Sequence, residues 1–326
     1  MKKDYKTLFN NLITSKIDEL IIKYDSKKDN YTYQGFSHLC DSTSLDELSN
    51  LVIDDIVFYT FSEDEILEYD NKFNFLDDLR SAAKYAYAQR LPQRKNEKTD
   101  GLLGEVLLDL FIQRYSLNAK KLVVRAKHTE IKSRQEITGY DALYFTKNKD
   151  EISFWLGQAK AGEKEYCKQS ISKDLNEKYK KEYFANTAFY IADKRDTNEL
   201  DDILVGINKI CFEAQKNNMD AKQKINNLFL FLKRNNIKIK IPCMIAYTKD
   251  IYNDEFKLKQ KVEQEVDSIM KYMDKISYSI DIKLEYEILF WILPVKNVSY
   301  IRNKLIDLKK EAIWYGIFVW TYWFIE

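Results

Sequence analysis

The chain is poor in the residues that build several common kinds of site. It has 8 glycines in 326 residues, and none of them falls into GxGxxG or GxxxxGK[ST], so neither a dinucleotide fingerprint nor a P-loop is present. Its four cysteines, Cys40, Cys167, Cys211 and Cys243, are far apart and form no CxxC pair, which argues against a zinc knuckle or a disulfide framework and for a reduced, cytoplasmic setting. The two histidines, His38 and His128, have no partner at catalytic or ligand spacing, so no Ser-His-Asp or Cys-His arrangement can be built. Both read as surface or packing residues. No uninterrupted apolar run reaches the roughly 20 residues that span a bilayer. The most apolar stretch, Ala312 to Ile325, reads as a buried C-terminal strand or, second, a partner surface. The start of the chain carries Lys16, Asp18 and Glu19 where a secretory signal needs an apolar core. A net charge of +1 excludes a strong overall pull toward polyanions, leaving local patches to make any nucleic-acid contact.

What is present is a folded α/β chain. It is 45% hydrophobic and 14% aromatic, enough for one large or two ordinary cores. Residues 1–95 mix short helical and strand-like runs, an N-terminal α+β region with no assignable chemistry. The charged run Gln89 to Asp100, containing Pro92, reads as a linker or exposed loop. Beyond it, Asp100 is placed to cap a helix from about Gly101 to Tyr115, with Leu103, Val106, Leu107, Leu110 and Phe111 on one face. A strand at Lys121 to Lys127, two facing strands, a polar helix from about Glu163 to Tyr183 and a strand at Thr187 to Ala192 complete a unit over 96–195. A C-terminal α/β extension, 196–326, continues with a helix near Asn198 to Gln215, a strand at Lys238 to Tyr247 and a helix at Asp254 to Asp274. A strand at Leu284 to Ile292 and a helix at Asn297 to Lys310 follow. Short turns imply antiparallel neighbours and a helical crossover implies a parallel one, so the sheet is expected to be mixed, with helices against it.

The two facing strands carry the chemistry. Thr138 to Phe145 and Ile152 to Lys160 flank a polar turn; with Lys149-Asp150 at the tip, Phe145 opposes Phe154, Leu143 opposes Leu156 and Asp141 opposes Gln158. Alternation puts Lys160 on the same face and sends Tyr140 and Trp155 to the other. Opposed Cβ atoms lie roughly 5 Å apart, so a carboxylate, an amide oxygen and an ammonium converge. Such a group suits a divalent cation and a phosphate. Asp141 offers a hard oxygen, Gln158 a weaker neutral one and Ala159 its backbone carbonyl, while Lys160 can orient water or neutralise charge on the phosphate. Glu105 on the preceding helix is the candidate second carboxylate. Asp109, one turn later, can replace it or pair with it, and Glu130, Glu136 and Glu163 are also near in sequence.

Basic residues flank the unit. Lys120, Lys121, Arg125, Lys127, Lys132 and Arg134 precede the hairpin, and Lys164, Lys168, Lys173, Lys178, Lys180 and Lys181 follow it. They suit contact to a nucleic-acid backbone without base-specific readout.

The order of a helix with Glu105, a hairpin with Asp141, then Gln158-Ala159-Lys160 and a helix resembles the PD-(D/E)xK nuclease core. Within that superfamily, Gly104-Glu105, Thr138-Gly139-Tyr140-Asp141-Ala142 and Trp155 to Lys160 resemble the HamA family, the nuclease subunit of the bacterial Hachiman anti-phage system. The motifs cover about residues 100–195; length and the later strand-helix order extend the likeness to the whole chain. The resemblance implies a Mg²⁺- or Mn²⁺-dependent DNA nuclease with no small-molecule cofactor and no membrane partner, held in check by a HamB-like helicase and released on infection. One departure is Gln158, which stands where the motif has an acid and should weaken metal affinity. A catalytically silent scaffold that binds DNA or the helicase, and a nuclease directed at RNA, are the competing expectations.

Overall fold

The computed structural model describes residues 4–91, 101–116, 118–124, 139–149 and 151–322, the side chains of 313–322 excepted. The N-terminal segment forms helix α1 (Tyr5–Phe9), a single π-turn at Asn10–Thr14, and helix α2 (Ser15–Leu20). Strands β1 (Ile21–Lys23), β2 (Lys27–Lys28) and β3 (Thr32–His38) come next, followed by helices α3 (Ser44–Thr60), α4 (Glu63–Phe73) and α5 (Leu79–Gln89). The central segment holds α6 (Leu102–Tyr115), β4 (Lys120–Lys121), β5 (Ala142–Asn148) and β6 (Glu151–Gly162). Helices α7 (Lys164–Lys178), α8 (Lys181–Lys194), α9 (Asp201–Lys216) and α10 (Ala221–Arg234) lead to β7 (Ile237–Thr248). Helix α11 (Glu255–Met273), strand β8 (Tyr286–Val295) and helix α12 (Val298–Tyr322) complete the description.

The strands make one mixed eight-stranded sheet in the order β1-β3-β8-β7-β6-β5-β4, with β2 paired to β3. Contacts β3–β8, β8–β7 and β7–β6 are parallel, whereas β6–β5, β5–β4 and β3–β1 are antiparallel. Sequence-distant strands thus meet: β3, from the first 40 residues, pairs with β8 near residue 290.

Helices cover both faces, as the alternation of apolar residues along β5 and β6 demands. On one face Trp155 and Ala159 of β6 lie in a core with Leu103, Leu107 and Leu108 of α6 and with α3, α5 and α12. On the other, Phe154 and Leu156 pack with Cys167, Ile171 and Leu175 of α7 and with α8 and α11. Two glycines set the first of these contacts. A Cβ on Gly157 would lie 2.7 Å from Leu108 Cδ2, and one on Gly104 would lie 3.4 Å from Ala159 Cβ and from the backbone at Lys160 and Ala161, so α6 rests almost directly on β6.

The expected mixed α/β sheet is present, and so is the hairpin register: Phe145 pairs with Phe154 and Leu143 with Leu156. The strand reached through helices, β7, runs parallel to β6 as anticipated. Four expectations are corrected. Thr187 to Ala192 is helical, because Phe184, Ala185, Ala188, Ile191 and Ala192 recur at helical spacing and α8 buries them as one face. The polar helix stops at Lys178; Tyr179 and Lys180 break it and α8 begins. The C-terminal apolar stretch continues α12 as helix to Tyr322 and is not a strand. Tyr140 does not face away from Asp141: it precedes the first β5 residue, so alternation does not govern it, and its ring packs with Tyr179 and Tyr183 on the α7 side. Helix α10 had no counterpart among the expected elements. The proposed cap Asp100, Pro92, His128, Arg125, Lys127, Lys132, Arg134, Glu130, Glu136 and Thr138 lie outside the described residues. Of the strand expected at Lys121 to Lys127, the ladder takes in Lys120–Lys121.

Candidate active site

β5 ends its pairing with β6 at Ala142–Gly157, and Asp141 N–H adds one more bond to the Gly157 carbonyl. Past that point β6 runs on alone along this edge, and the Asp141 side chain takes the place of the missing strand: Ala159 N–H donates to Asp141 Oδ2 at 2.8 Å. Within a strand the N–H and C=O of one residue leave by the same edge. The Ala159 carbonyl therefore emerges beside Asp141.

Lys160 and Asp141 face one another, with Nζ 3.8 Å from Oδ2. Burial lifts the Asp141 carboxyl above its ordinary value; the Lys160 and Lys178 ammoniums pull it down, the Glu105 charge pushes it up again, and the net direction is upward. Burial disfavours the Lys160 ammonium, but Asp141 and Asp174 outweigh it and the group ends above its usual range.

Glu105 reaches this edge from the other face. It is buried in the first two turns of α6, its Oε2 accepts a 2.5 Å hydrogen bond from Tyr59 Oη of α3, and its charge is felt by Asp141. Gly104 brings α6 close enough to the strand for this. Asp109, the alternative acid, is committed elsewhere: Tyr144 Oη donates to Oδ1, Gln113 Nε2 to Oδ2 at 2.6 Å, and Lys121 Nζ lies 3.9 Å away. Glu163 is exposed at the start of α7.

Gln158 is fully buried, and its amide orientation is set by neighbours. Lys178 Nζ donates to Oε1 at 2.7 Å and Nε2 donates to the Gly157 carbonyl at 2.9 Å. One lone pair of Oε1 remains. Sequence reasoning placed Lys178 only among the basic flank and missed Asp174, whose Oδ2 lies 2.7 Å from Lys160 Nζ and 3.4 Å from Lys178 Nζ. Their i,i+4 spacing on α7 was a usable signal.

The donors suit an oxygen-seeking cation such as Mg²⁺ or Mn²⁺: two carboxylates, a backbone carbonyl and an amide oxygen, while the neighbouring Cys243 thiol, paired with Gln158 across β6–β7, is pushed well above its usual range by burial and so stays a protonated, poor ligand. Among the described residues no three His, Cys, Asp or Glu side chains gather as a ligand cluster, so the carbonyl and amide oxygens are needed to complete a set.

Much of the basic flank is neutralised within the fold. Lys120 pairs with Glu199, Lys164 with Glu265 at 2.7 Å, and Lys168 with Glu165 at 2.6 Å while lying over the Tyr272 ring. Lys121 is buried and donates to the Phe61 carbonyl. Lys173 and Lys180 are exposed. His38 is a packing residue, stacked on Tyr252 with ring centroids 3.7 Å apart and accepting from Lys296 N–H at Nε2. Among the described residues no helix is long and apolar enough to cross a membrane.

No curated protein matches the chain. The HamA family model matches residues 7–308, nearly the whole length, and the chain belongs to the HamA family.

Proposed function

We propose that the chain is a metal-dependent DNA nuclease and the effector of a Hachiman defence system, restrained by a HamB-like helicase partner. Family membership supports its place in Hachiman defence. The observation that carries the chemistry is the Asp141–Lys160 pair, 3.8 Å apart at an unpaired strand edge, with the Glu105 charge acting on the same carboxylate.

Asp141, the Ala159 carbonyl and Glu105 would hold the cation, with Gln158 as a neutral fourth oxygen. A bound divalent ion supplies Lewis acidity to the phosphate and to an attacking water. The chain's own groups do the rest. Ala159 N–H aims the Asp141 carboxylate, and Tyr59 aims Glu105. The Lys160 ammonium neutralises charge growing on a non-bridging phosphate oxygen, which is worth most in so dry a setting. Crowding two carboxylates around one edge disfavours their joint ionisation until a cation arrives. Exposed Lys173 and Lys180 on the α7 side provide contact to a nucleic-acid backbone.

The test is plasmid degradation by the purified chain with Mg²⁺ or Mn²⁺, with and without its helicase partner, beside Asp141→Ala and Lys160→Ala. Loss of cleavage in both variants supports the reading, and cleavage indifferent to both removes this centre. RNA digested in parallel decides the substrate. A second reading, a silent scaffold that binds DNA or the helicase, draws on Gln158 at the acidic position with an ammonium already on its oxygen. Absence of cleavage under activating conditions favours it.

A further inference from the structure

Helix α7 lays an acid and a base across the end of β6, and both members of the Gln158–Lys160 pair are engaged by them. Asp174 Oδ2 is nearer to Lys160 Nζ, at 2.7 Å, than Asp141 Oδ2 is, at 3.8 Å. Lys178 stands one turn along, 3.4 Å from the same Asp174 oxygen and 2.7 Å from Gln158 Oε1. The side chains of Asp174, Lys160 and Lys178 are 14%, 19% and 19% exposed, so this is a buried network and not a surface pair. Cys167, Ile171 and Leu175, all fully buried, hold α7 against the sheet and fix where its polar heads arrive.

Charge explains why the network is needed. With a neutral amide at 158, the strand offers two neighbouring ammoniums no carboxylate of its own on this side. Without Asp174, Lys160 would close on Asp141 and occupy the oxygen that a cation requires. The two ends of an amide have the same size and opposite hydrogen-bonding character; an ammonium donor beside Gln158 admits the oxygen and rejects the nitrogen.

We propose that Asp174 and Lys178 are positioning residues of the cleavage centre: Asp174 draws Lys160 off Asp141 and so keeps Asp141 open to the divalent ion, while Lys178 sets the orientation of the Gln158 amide. This rests on the nuclease reading above. The acid absent from the strand is supplied by the helix that packs on it.

The experiment uses the full chain and two readouts, Mn²⁺ affinity from the free-ion paramagnetic resonance signal and kcat and KM for plasmid cleavage. Asp174→Asn is expected to weaken Mn²⁺ binding about 3- to 10-fold and to lower kcat about 10- to 100-fold with KM for DNA little changed, as for a misplaced catalytic group. Asp174→Glu should recover most of both, and Lys178→Met should lower kcat without that recovery. In a Lys160→Met background, Asp174→Asn should have no further effect on Mn²⁺ affinity, because its action passes through Lys160. Undiminished binding and cleavage in Asp174→Asn overturns the inference, as does equal loss in Asp174→Glu or continued weakening once Lys160 is gone. If the wild-type chain neither binds Mn²⁺ nor cleaves, the nuclease reading itself falls. If Asp141→Ala abolishes cleavage while Asp174→Asn does not, the inference falls alone.

Discussion

Replacing Lys160 by methionine keeps the bulk of the side chain and removes its charge. Asp174 retains Lys178 at 3.4 Å, so the group that loses its main ammonium is Asp141, on which Lys178 exerts a weaker pull. At an effective dielectric constant of about 20, an ion pair near 4 Å is worth about 4 kcal/mol; breaking one side of a buried pair costs about 3 to 5 kcal/mol. The two figures agree, and pH separates them from a simple packing defect. The Asp141 carboxyl is already raised by burial, and loss of Lys160 raises it further. A carboxyl raised in the folded state adds stability below its unfolded value and forfeits it as pH rises through the folded value. The Lys160→Met deficit should therefore approach 4 kcal/mol near neutrality and shrink steadily as the pH falls through the range in which the raised Asp141 carboxyl takes up its proton. Urea unfolding followed by tryptophan fluorescence across this range measures it, each variant being compared with wild type at the same pH so that other titrations cancel. Adding Asp141→Asn should bring stability back to within about 1 kcal/mol of wild type, since neither charge is then buried alone. A deficit of constant size from acid to neutral pH, or a double variant no more stable than Lys160→Met, would refute the electrostatic account.

Other outcomes follow from neighbouring contacts. Gly157→Ala puts a methyl 2.7 Å from Leu108 Cδ2, well inside contact distance, and should cost about 1 to 2 kcal/mol in urea, relieved by Leu108→Val; an alanine variant as stable as wild type would show that α6 does not rest on β6. His38, lowered to about 4 by burial, binds its proton less readily folded than unfolded, so it adds stability above pH 6.5 that is lost as pH falls from there toward 4. The stability advantage of wild type over His38→Phe should decline by about 3 kcal/mol across that interval, and a flat difference would mean the imidazole is not held neutral. Tyr59→Phe removes the donor to Glu105 Oε2 and should cost about 1 kcal/mol while slowing plasmid cleavage; an unchanged time course would remove Glu105 from the centre.

The hairpin was the most readable part of the chain. Two apolar pairs and a polar tip leave one register that sets both strands on the same faces, and a slip of one residue would have put Leu143 and Phe145 on the opposite face from Phe154 and Leu156. The parallel arrival of β7 after a helical crossover was legible for a similarly local reason. Thr187 to Ala192 misled because threonine, phenylalanine, tyrosine and isoleucine favour strands when a short window is read alone. Its helix is decided by a longer face, Phe184 through Ala192, pressed into the α7 side of the core. Tyr140 misled because alternation was carried two residues past the strand's own start at Ala142.

By itself the sequence determined that this is an α/β chain, that Phe145 and Leu143 stand opposite Phe154 and Leu156, and that Asp141 and Lys160 come together at the end of that hairpin, because a strand's period of two is a property of the backbone; the expected Asp141–Gln158 pair is not formed, since the ladder ends at Ala142–Gly157. Which groups meet them from elsewhere was decided by tertiary structure. Tyr59 and Glu105 arrive from α3 and α6 on one side, Asp174 and Lys178 from α7 on the other, and their positions depend on how helices distant in sequence settle on the sheet around residues as small as Gly104 and Gly157. Close packing between distant segments leaves no local periodicity to read, so the surroundings of the site came into view only with the fold.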